Sequence, residues 1–400
     1  MSSKPPRDVR DPLARRIERH VPPGLRSRAL HAMSARAALG QFVLQRCAEC
    51  RAVTYPPRDI CPHCWGELVW DAMPGGASVV AQTTIRVTTD LYFRDHLPWR
   101  IGTVALDVGP VAIAHLHAKL TVGDRAEMRL MLDKGGNAAL FAIPVEGGAE
   151  MADLQWREFV VPVKDRTILV TDGDGATGKA VIAAFLAAGA GSIVAGSSAP
   201  ARPIGSDARS GAVRTIPLDL TDSTSVSECF TGIAGPLDIV VNTTRFVRTG
   251  GISRGNLVDQ KRMLDIAVLG FLRLAQAAVP LLAGRPSAAF VDLLSIHALA
   301  GEAGFAAFSA GEAARHSLLQ SFRHEMRDTG VRVISVFAGP TDDEDHQSVP
   351  MPKVAPARLA QGVIEAIETG REQLCVGDVA IDAMDRWLAD PILYAREKNL

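Results

Sequence analysis

The sequence predicts a multidomain chain: a small metal-binding ribbon, an all-β barrel, and an α/β domain built on a doubly wound parallel sheet. Three observations carry this. Cys47-Ala48-Glu49-Cys50 is followed, ten residues on, by Cys61-Pro62-His63-Cys64. Five short strand-like runs separated by Gly/Asp turns then fill residues 78–144. From Thr167 onward, β-branched runs alternate with helical stretches. A length of 400 residues exceeds what one core organises and suits two or three domains.

Residues 1–36 form the first segment, an arm rich in arginine (Arg7, Arg10, Arg15, Arg16, Arg19, Arg26, Arg28) with a helical pattern around Leu30, Met33 and Ala37. It reads as a solvated helical lead-in; a docking arm for a partner or for acyl-CoA phosphates is the other reading. The ribbon occupies residues 37–71. Two Cys-x-x-Cys knuckles bring four thiols within reach of one tetrahedral ion, and a closed shell of four thiolates leaves no open position for water. Cys47, Cys50, Cys61 and Cys64 are thus the ligands of a structural zinc rather than a catalytic one. Two disulfides or four core thiols would use the same residues. They fit poorly with a chain whose start, Met1–Arg10, is polar and basic without the apolar core of a secretory leader.

The barrel spans residues 72–146. Its strands are read at Ser78–Val87, Trp99–Val108, Val111–Leu120, Ala126–Leu132 and Ala138–Pro144. Five short strands at this spacing suit a small closed barrel. Gly147-Gly148 open a linker over residues 147–162.

Beyond it, strands are expected at Thr167–Thr171, Ser192–Ala195, Val213–Leu218, Leu237–Asn242, Ala288–Leu294 and Val331–Phe337, with a helix over Thr177–Ala188 after the first. Strands separated by helices argue for a parallel sheet, and this domain runs over residues 163–400.

Composition excludes some classes. A net charge of −1 gives no whole-protein field for nucleic acid. No apolar run approaches the length of a membrane span, and the thiols suit a reducing compartment, so a cytoplasmic protein is expected. Cys229 and Cys375 stand alone and read as inert buried thiols. Trp65, Trp70, Trp99, Trp156 and Trp387 read as core or interface anchors.

The N-terminal half resembles the zinc-ribbon/OB-fold acyl-CoA-associated proteins over about residues 25–146. The resemblance lies in Leu44-Gln45-Arg46 with the first knuckle, Tyr55-Pro56-Pro57-Arg58, the second knuckle, Gly102–Asp107 and Thr121-Val122-Gly123-Asp124. It implies a rubredoxin-like zinc ribbon and an OB-fold barrel. It also implies a thiolase or thiolase-like aldolase as partner and acyl-CoA as the substrate handled. OB barrels also bind nucleic acid, but few aromatics here interleave with basic residues to stack bases.

The C-terminal half resembles the short-chain dehydrogenase/reductase family. The framing residues are the turn Thr171–Gly178, Asp219-Leu220-Thr221-Asp222, Asn242, Ser295, the helix start Phe308–Ala314 and Ala338-Gly339-Pro340-Thr341. The family's glycine turn here carries Asp172 and Ala176 at two of its glycine positions. Two carboxylates beside a helix N-terminus repel a pyrophosphate, and Asp172 or Asp174 is expected to occupy the anion position itself. Read one step later, Gly173, Gly175 and Gly178 keep a dinucleotide spacing, with Asp219 and Asn242 as further cofactor contacts. The strand before Gly196-Ser197-Ser198 ends without a ribose-binding acid.

The resemblance places the family's proton-donating tyrosine and its lysine at Phe308 and Glu312, and its helix asparagine at Ala267. Phenylalanine has no proton to give, and glutamate has the wrong charge to lower a neighbour's pKa. Ser295 survives; His297 near it is read as a loop-lining residue. Asp342-Asp343-Glu344-Asp345-His346 reads as a solvated, mobile loop rather than a cation site. The expectation is a degenerate site without catalytic residues and without bound NAD(P). The alanine-rich helices Val258–Leu282 and Gly304–Thr329 are expected to form a homodimer. The chain then reads as a non-catalytic accessory subunit of an acyl-CoA thiolase or aldolase. The alternative is an NAD(P)-dependent oxidoreductase acting on a ketoacyl-CoA or related ketone.

Overall fold

A computed structural model describes residues 21–22, 24, 28–147, 151–198, 212–233, 235–347 and 349–399. The first element is helix α1 (Arg28–Ala38). It is not a solvated lead-in: Met33 and Ala37 are buried in the barrel core beside Leu130 and Leu132. One apolar face of a helix must be covered, and here the barrel covers it. Apart from Arg28, the arginines noted in the arm lie outside the described residues.

Strands β1 (Val43–Cys47), β2 (Val53–Thr54) and β3 (Leu68–Ala72) form an antiparallel sheet in the order β2-β1-β3. This is the ribbon. The barrel follows with β4 (Gly76–Ile85), the short helix α2 (Leu91–Asp95), β5 (Trp99–Leu106), β6 (Val111–Leu116), β7 (Arg125–Leu132) and β8 (Ala138–Pro144). It closes in the order β4-β5-β6-β8-β7, with β6 and β8 parallel and every other pair antiparallel. Alternation sets its walls: in β6, Ala112, Ala114 and Leu116 point in, while Val111 and Ile113 are exposed. A bulge between Val79 and Ala81 bends β4 onto β5. Gly102 sits at that approach, where a Cβ would stand 2.6 Å from the Ala81 carbonyl oxygen.

The segment expected as a linker is packed. A 3-10 turn, Trp156–Glu158, and Phe159 and Val160 bury against Trp99, Met131, Phe141 and Ile143 of the barrel. Val161 and Val163 then enter the core of the large sheet. Polar groups seal the same junction. Arg332 donates to the carbonyls of Leu132 (3.1 Å) and Glu158 (3.2 Å). Lys134 Nζ lies 2.5 Å from Glu158 Oε2, and the Tyr92 hydroxyl donates to the same oxygen at 2.7 Å.

The α/β domain comprises β9 (Thr167–Val170), α3 (Ala176–Ala187), β10 (Ser192–Ser197), β11 (Val213–Pro217), α4 (Ser223–Gly232), β12 (Ile239–Asn242), α5 (Leu257–Leu264), α6 (Phe271–Leu282), β13 (Ala288–Ser295), α7 (Ala306–Met326), β14 (Val331–Ala338), α8 (Pro356–Thr369), β15 (Gln373–Val376), α9 (Asp378–Ala389) and α10 (Pro391–Glu397). The parallel sheet runs β11-β10-β9-β12-β13-β14-β15. Every residue of β13 and β14 is buried, as expected for central strands covered on both faces. The strand order reverses between β9 and β12, which opens the ligand crevice of such folds at their carboxyl ends. Strand β15 and the last three helices were not anticipated.

A π-helical turn, Asp265–Gly270, joins α5 to α6. The continuous run Leu257–Leu282 has a window of mean hydropathy 1.6 and is long and apolar enough to cross a membrane by composition. That corrects the expectation that no such run exists. Phe271, Leu274, Ala278 and Leu282 of this run bury in the sheet core, which places it as a layer of the α/β domain.

Candidate functional site

Two places bring together the residues of interest: the ribbon knuckles and the crevice above β9, β12 and β13. In the ribbon, Cys47 ends β1 and Cys61 precedes β3. The four sulfur atoms all lie within 4.8 Å of one another. Cys47 and Cys64 sulfurs are 3.4 Å apart, and Cys50 and Cys61 sulfurs 3.7 Å. A disulfide would require ~2.05 Å. Tetrahedral zinc with bonds of ~2.3 Å holds its sulfurs roughly 3.8 Å apart, so the constellation fits that ion. Amides of Cys50 and His63 point at the sulfurs of Cys47 and Cys61, each at 3.4 Å, and stabilise thiolate charge. The residue after each knuckle, Arg51 and Trp65, turns with φ of 64° and 67°. Trp65 is held on the surface there, 77% exposed.

In the crevice, the glycine turn runs from β9 into α3. Gly178 has no room for a side chain, since a Cβ would fall 1.6 Å from the Asp172 carbonyl oxygen. Asp172 Oδ1 accepts the Gly175 amide at 3.2 Å. An internal carboxylate thereby takes an amide at the helix N-terminus, where a phosphate would otherwise bind. Burial first, and then the charge of Asp174, push the Asp172 carboxyl above the ordinary range. Asp174 is hydrogen-bonded by the Ser197 hydroxyl at the end of β10. Gly173 donates to the Gly196 carbonyl at 2.8 Å. Asp219 accepts from the amide and hydroxyl of Thr221, at 2.8 and 2.7 Å, and is committed to its own turn.

Arg245 had escaped notice. It leaves the loop after β12 and donates to the Thr341 hydroxyl at 3.3 Å, across the crevice from the loop after β14. With Asp172, Thr177 and Lys179 it lines a cavity of about 330 Å³. The acidic loop closes one side. Its acids Asp342, Glu344 and Asp345 are exposed, as expected, but His346 is buried, its Nδ1 lies 2.7 Å from Asp343, and Asp345 pairs with Arg248 at 3.2 Å.

The floor of the crevice is a buried polar chain. Glu312 Oε2 accepts the Ser295 amide at 2.6 Å, and Oε1 accepts from Arg315 at 2.6 Å. Arg315, 1% exposed, also donates to the Leu293 carbonyl at 2.9 Å, and its Nε lies 3.3 Å from Asp292. Asp292 accepts from Asn242 at 2.8 Å, and Asn242 accepts from the Thr171 hydroxyl at 3.0 Å. Burial raises the Asp292 carboxyl to about 6 although Arg315 works the other way. Phe308 packs with Val247 and Met263, and Ala267 lies in the π turn, its Cβ 2.9 Å from where a Cβ on Gly311 would fall.

His297 is not a bystander on a loop. It is buried, and its Nδ1 stands 2.7 Å from the Ser295 hydroxyl. Cys229 and Cys375 are raised by burial to about 11 and about 12 and are unreactive as thiolates at neutral pH.

Fold and site together define a protein that joins a zinc-ligating ribbon and barrel to a dinucleotide-type α/β domain. Comparison with known proteins names both ends. Residues 34–69 match the ChsH2 rubredoxin-like zinc ribbon domain, and residues 166–351 match the short chain dehydrogenase family. An uncharacterized oxidoreductase of Staphylococcus aureus is 26% identical over 211 residues, 51% of this chain and 91% of that protein. One from Staphylococcus saprophyticus is 27% identical over 168 residues, covering 40% and 72%. A crystal structure of a short chain dehydrogenase from Burkholderia cenocepacia in complex with NADP superposes with a TM-score of 0.55 at 25% identity, covering 59% of this chain and 98% of that one. A short-chain dehydrogenase from Streptomyces avermitilis shares the fold, with a TM-score of 0.50 at 22% identity, covering 58% and 96%. The chain carries a zinc ribbon domain followed by a short-chain-dehydrogenase-type domain.

Proposed function

We propose that this chain is an accessory subunit of a thiolase or thiolase-like aldolase acting on acyl-CoA, and that its dehydrogenase-type half does not transfer hydride. The observation that carries the second part is the engagement of Glu312 by Ser295 and Arg315, with Phe308 beside it. A carboxylate and a phenyl ring stand where the resembling family uses an ammonium and a phenol. The residues of the glycine turn also fit NAD(P) poorly, because Asp172 takes a helix amide.

The ribbon match supports the first part, as does the barrel's strand order, which suits an OB-fold. Exposed Trp65 and Ile60 at the ribbon tip offer an aromatic anchor for the partner enzyme. The outward faces of α5, α6 and α7 suit pairing of two copies through a four-helix contact. Ala275 and Ala278 pack on their own sheet, but Ala310 and Ala313 are exposed beside the exposed Leu257, Leu264 and Leu269. Structural zinc and a cytoplasmic location belong to the same reading.

A second reading, an NAD(P)-dependent oxidoreductase of a ketoacyl-CoA, draws support from the relatives described as oxidoreductases and from the Burkholderia protein's NADP. Two measurements separate them. Affinity purification from the native host is expected to recover a thiolase-type enzyme, and titration with NADH and NADPH is expected to leave nucleotide fluorescence unchanged. Tight nucleotide binding with ketone turnover, and a chain recovered alone, would reverse the order of the two readings.

A further inference from the structure

The crevice that lacks a hydride-transfer set retains another set of groups. Ser295 ends β13, on the carboxyl-end side of the sheet where doubly wound folds hold ligands. Its hydroxyl lies 2.7 Å from His297 Nδ1, and His297 Nε2 lies 3.1 Å from Glu302 Oε2. The carboxylate stands beside the ring at ion-pair distance rather than in line with Nε2. Lys398 Nζ is 3.0 Å from the same carboxylate oxygen. His297 holds the Glu302 carboxyl down at about 2, so it is ionised at neutral pH. Phe305 and Phe308 flank the imidazole, with ring centres at 5.1 and 5.3 Å.

These contacts meet the needs of a serine–histidine–acid relay. The base must touch the hydroxyl, and an acid must favour the ring tautomer that leaves the touching nitrogen unprotonated. Here Nδ1 faces the serine, and Glu302 favours the proton on Nε2. Apolar rings keep Ser295 and His297 dry, which strengthens the contact between them. The phenylalanine that removes the phenol of a reductase is also a wall for the histidine.

We propose that Ser295, His297 and Glu302 form a nucleophilic relay that accepts acyl groups from ester or thioester carbonyls. Ser295 Oγ bonds to the carbonyl carbon while its proton passes to His297 Nδ1. The carbon–sulfur or carbon–oxygen bond breaks, and that proton leaves with the thiol or alcohol. Water then repeats the sequence on the acyl-serine, releasing a carboxylic acid and restoring the hydroxyl. Ser295 and His297 are the reacting groups; Glu302 is a positioning residue. The relay uses neither a dinucleotide nor a partner enzyme, so it can fail while copurification with a thiolase succeeds, and the reverse.

The test uses the full, zinc-loaded chain and a fluorophosphonate probe, read by intact mass and peptide mapping. One adduct is expected, on the peptide holding Ser295, and it disappears in Ser295→Ala. His297→Gln is expected to slow labelling roughly 10²–10⁴-fold, the usual contribution of a positioned base. Glu302 is only partly buried, so Glu302→Gln retains the fold; it slows labelling, and Glu302→Asp recovers most of the rate. The same order of rates is expected for the acyl-enzyme burst with p-nitrophenyl acetate. No adduct, an adduct elsewhere, or equal rates in the wild type and Glu302→Gln overturns the proposal. If His297→Gln does not fold, the Glu302 pair decides alone.

Discussion

Glu312 stands where the resemblance places the dehydrogenase lysine, and both of its oxygens are committed, one to the Ser295 amide and one to Arg315. Restoring lysine there would set two cations side by side in a site where Arg315 is 1% exposed. Breaking a buried pair in this way costs about 3–5 kcal/mol, because an uncompensated charge remains. The double variant Phe308→Tyr/Glu312→Lys is therefore expected to lose stability, read as a lower urea midpoint, and to gain no reductase activity. A stable variant that oxidises NADPH would show that the crevice has lost only two side chains. Trp65 makes the complementary case at the surface. Its φ of 67° is costly for a bulky residue, and its ring is left in water. Trp65→Ala is expected to leave the melting temperature within a few degrees and weaken capture of the partner enzyme at least tenfold, as loss of an interface anchor does.

At the level of elements, the ribbon is the piece that depends on metal. Val43 and Leu44 of β1 are anchored in the barrel core, and the thiolate shell ties the two knuckle turns together. Chelation, or Cys61→Ser, is expected to remove one zinc per chain by elemental analysis and to lower thermal stability, with the parallel sheet's far-UV signature retained. The α5–α6 run gives a second test. Leu264 and Leu269 are 40% and 49% exposed, so Leu264→Glu/Leu269→Glu should fold and, on the proposed pairing of two copies, shift the mass measured by light scattering from dimer to monomer. Much of this architecture was legible in the sequence for local reasons. Paired knuckles specify four thiols around one ion, and buried parallel strands such as Val331–Ala338 read as unbroken apolar runs. What escaped has a tertiary cause. Strand β15 is four residues, Gln-Leu-Cys-Val, with no periodicity to separate it from a loop. Arg245 and Thr341 stand 96 positions apart and meet only because both follow sheet strands. The Ser295–His297 contact was two residues away in sequence, but a side-chain direction is set by the 3-10 turn after β13, which composition does not reveal. Phe159 and Val160 fall in the stretch that Gly147-Gly148 mark as a linker, yet they pack with Trp156, which the sequence reads as a core or interface anchor; apolar content is the better guide there.

For the whole molecule, the decisive contact is the junction between barrel and sheet. Glu158 collects a hydroxyl from Tyr92, the Lys134 ammonium and, at 3.3 Å, His96 Nε2, while Arg332 holds the backbone on either side. Burial opposes ionisation of Glu158, but the bond from His96 and the charge of Lys134 prevail and hold its carboxyl at about 2. The sign of the pH dependence follows. A carboxyl whose folded pKa lies below its ordinary 4.5 stabilises the fold above that value, and the contribution fades as pH falls from 4.5 to about 2. The full shift corresponds to on the order of 3 kcal/mol. His96 is shifted upward, chiefly by its bond to Glu158, so its share is complete in acid and fades as pH rises through its folded value. Half-buried Asp133, raised by desolvation, titrates nearby in the opposite sense to Glu158, so the wild-type curve alone is ambiguous. The difference between wild type and Glu158→Gln isolates the junction: it is expected to be several kcal/mol near pH 6 and to shrink steadily below pH 4.5. If the two halves were independent bodies on a tether, the substitution would alter neither unfolding midpoint nor its pH slope. A difference that stays flat from pH 6 to pH 3 would show that Glu158 acts there by packing rather than by charge.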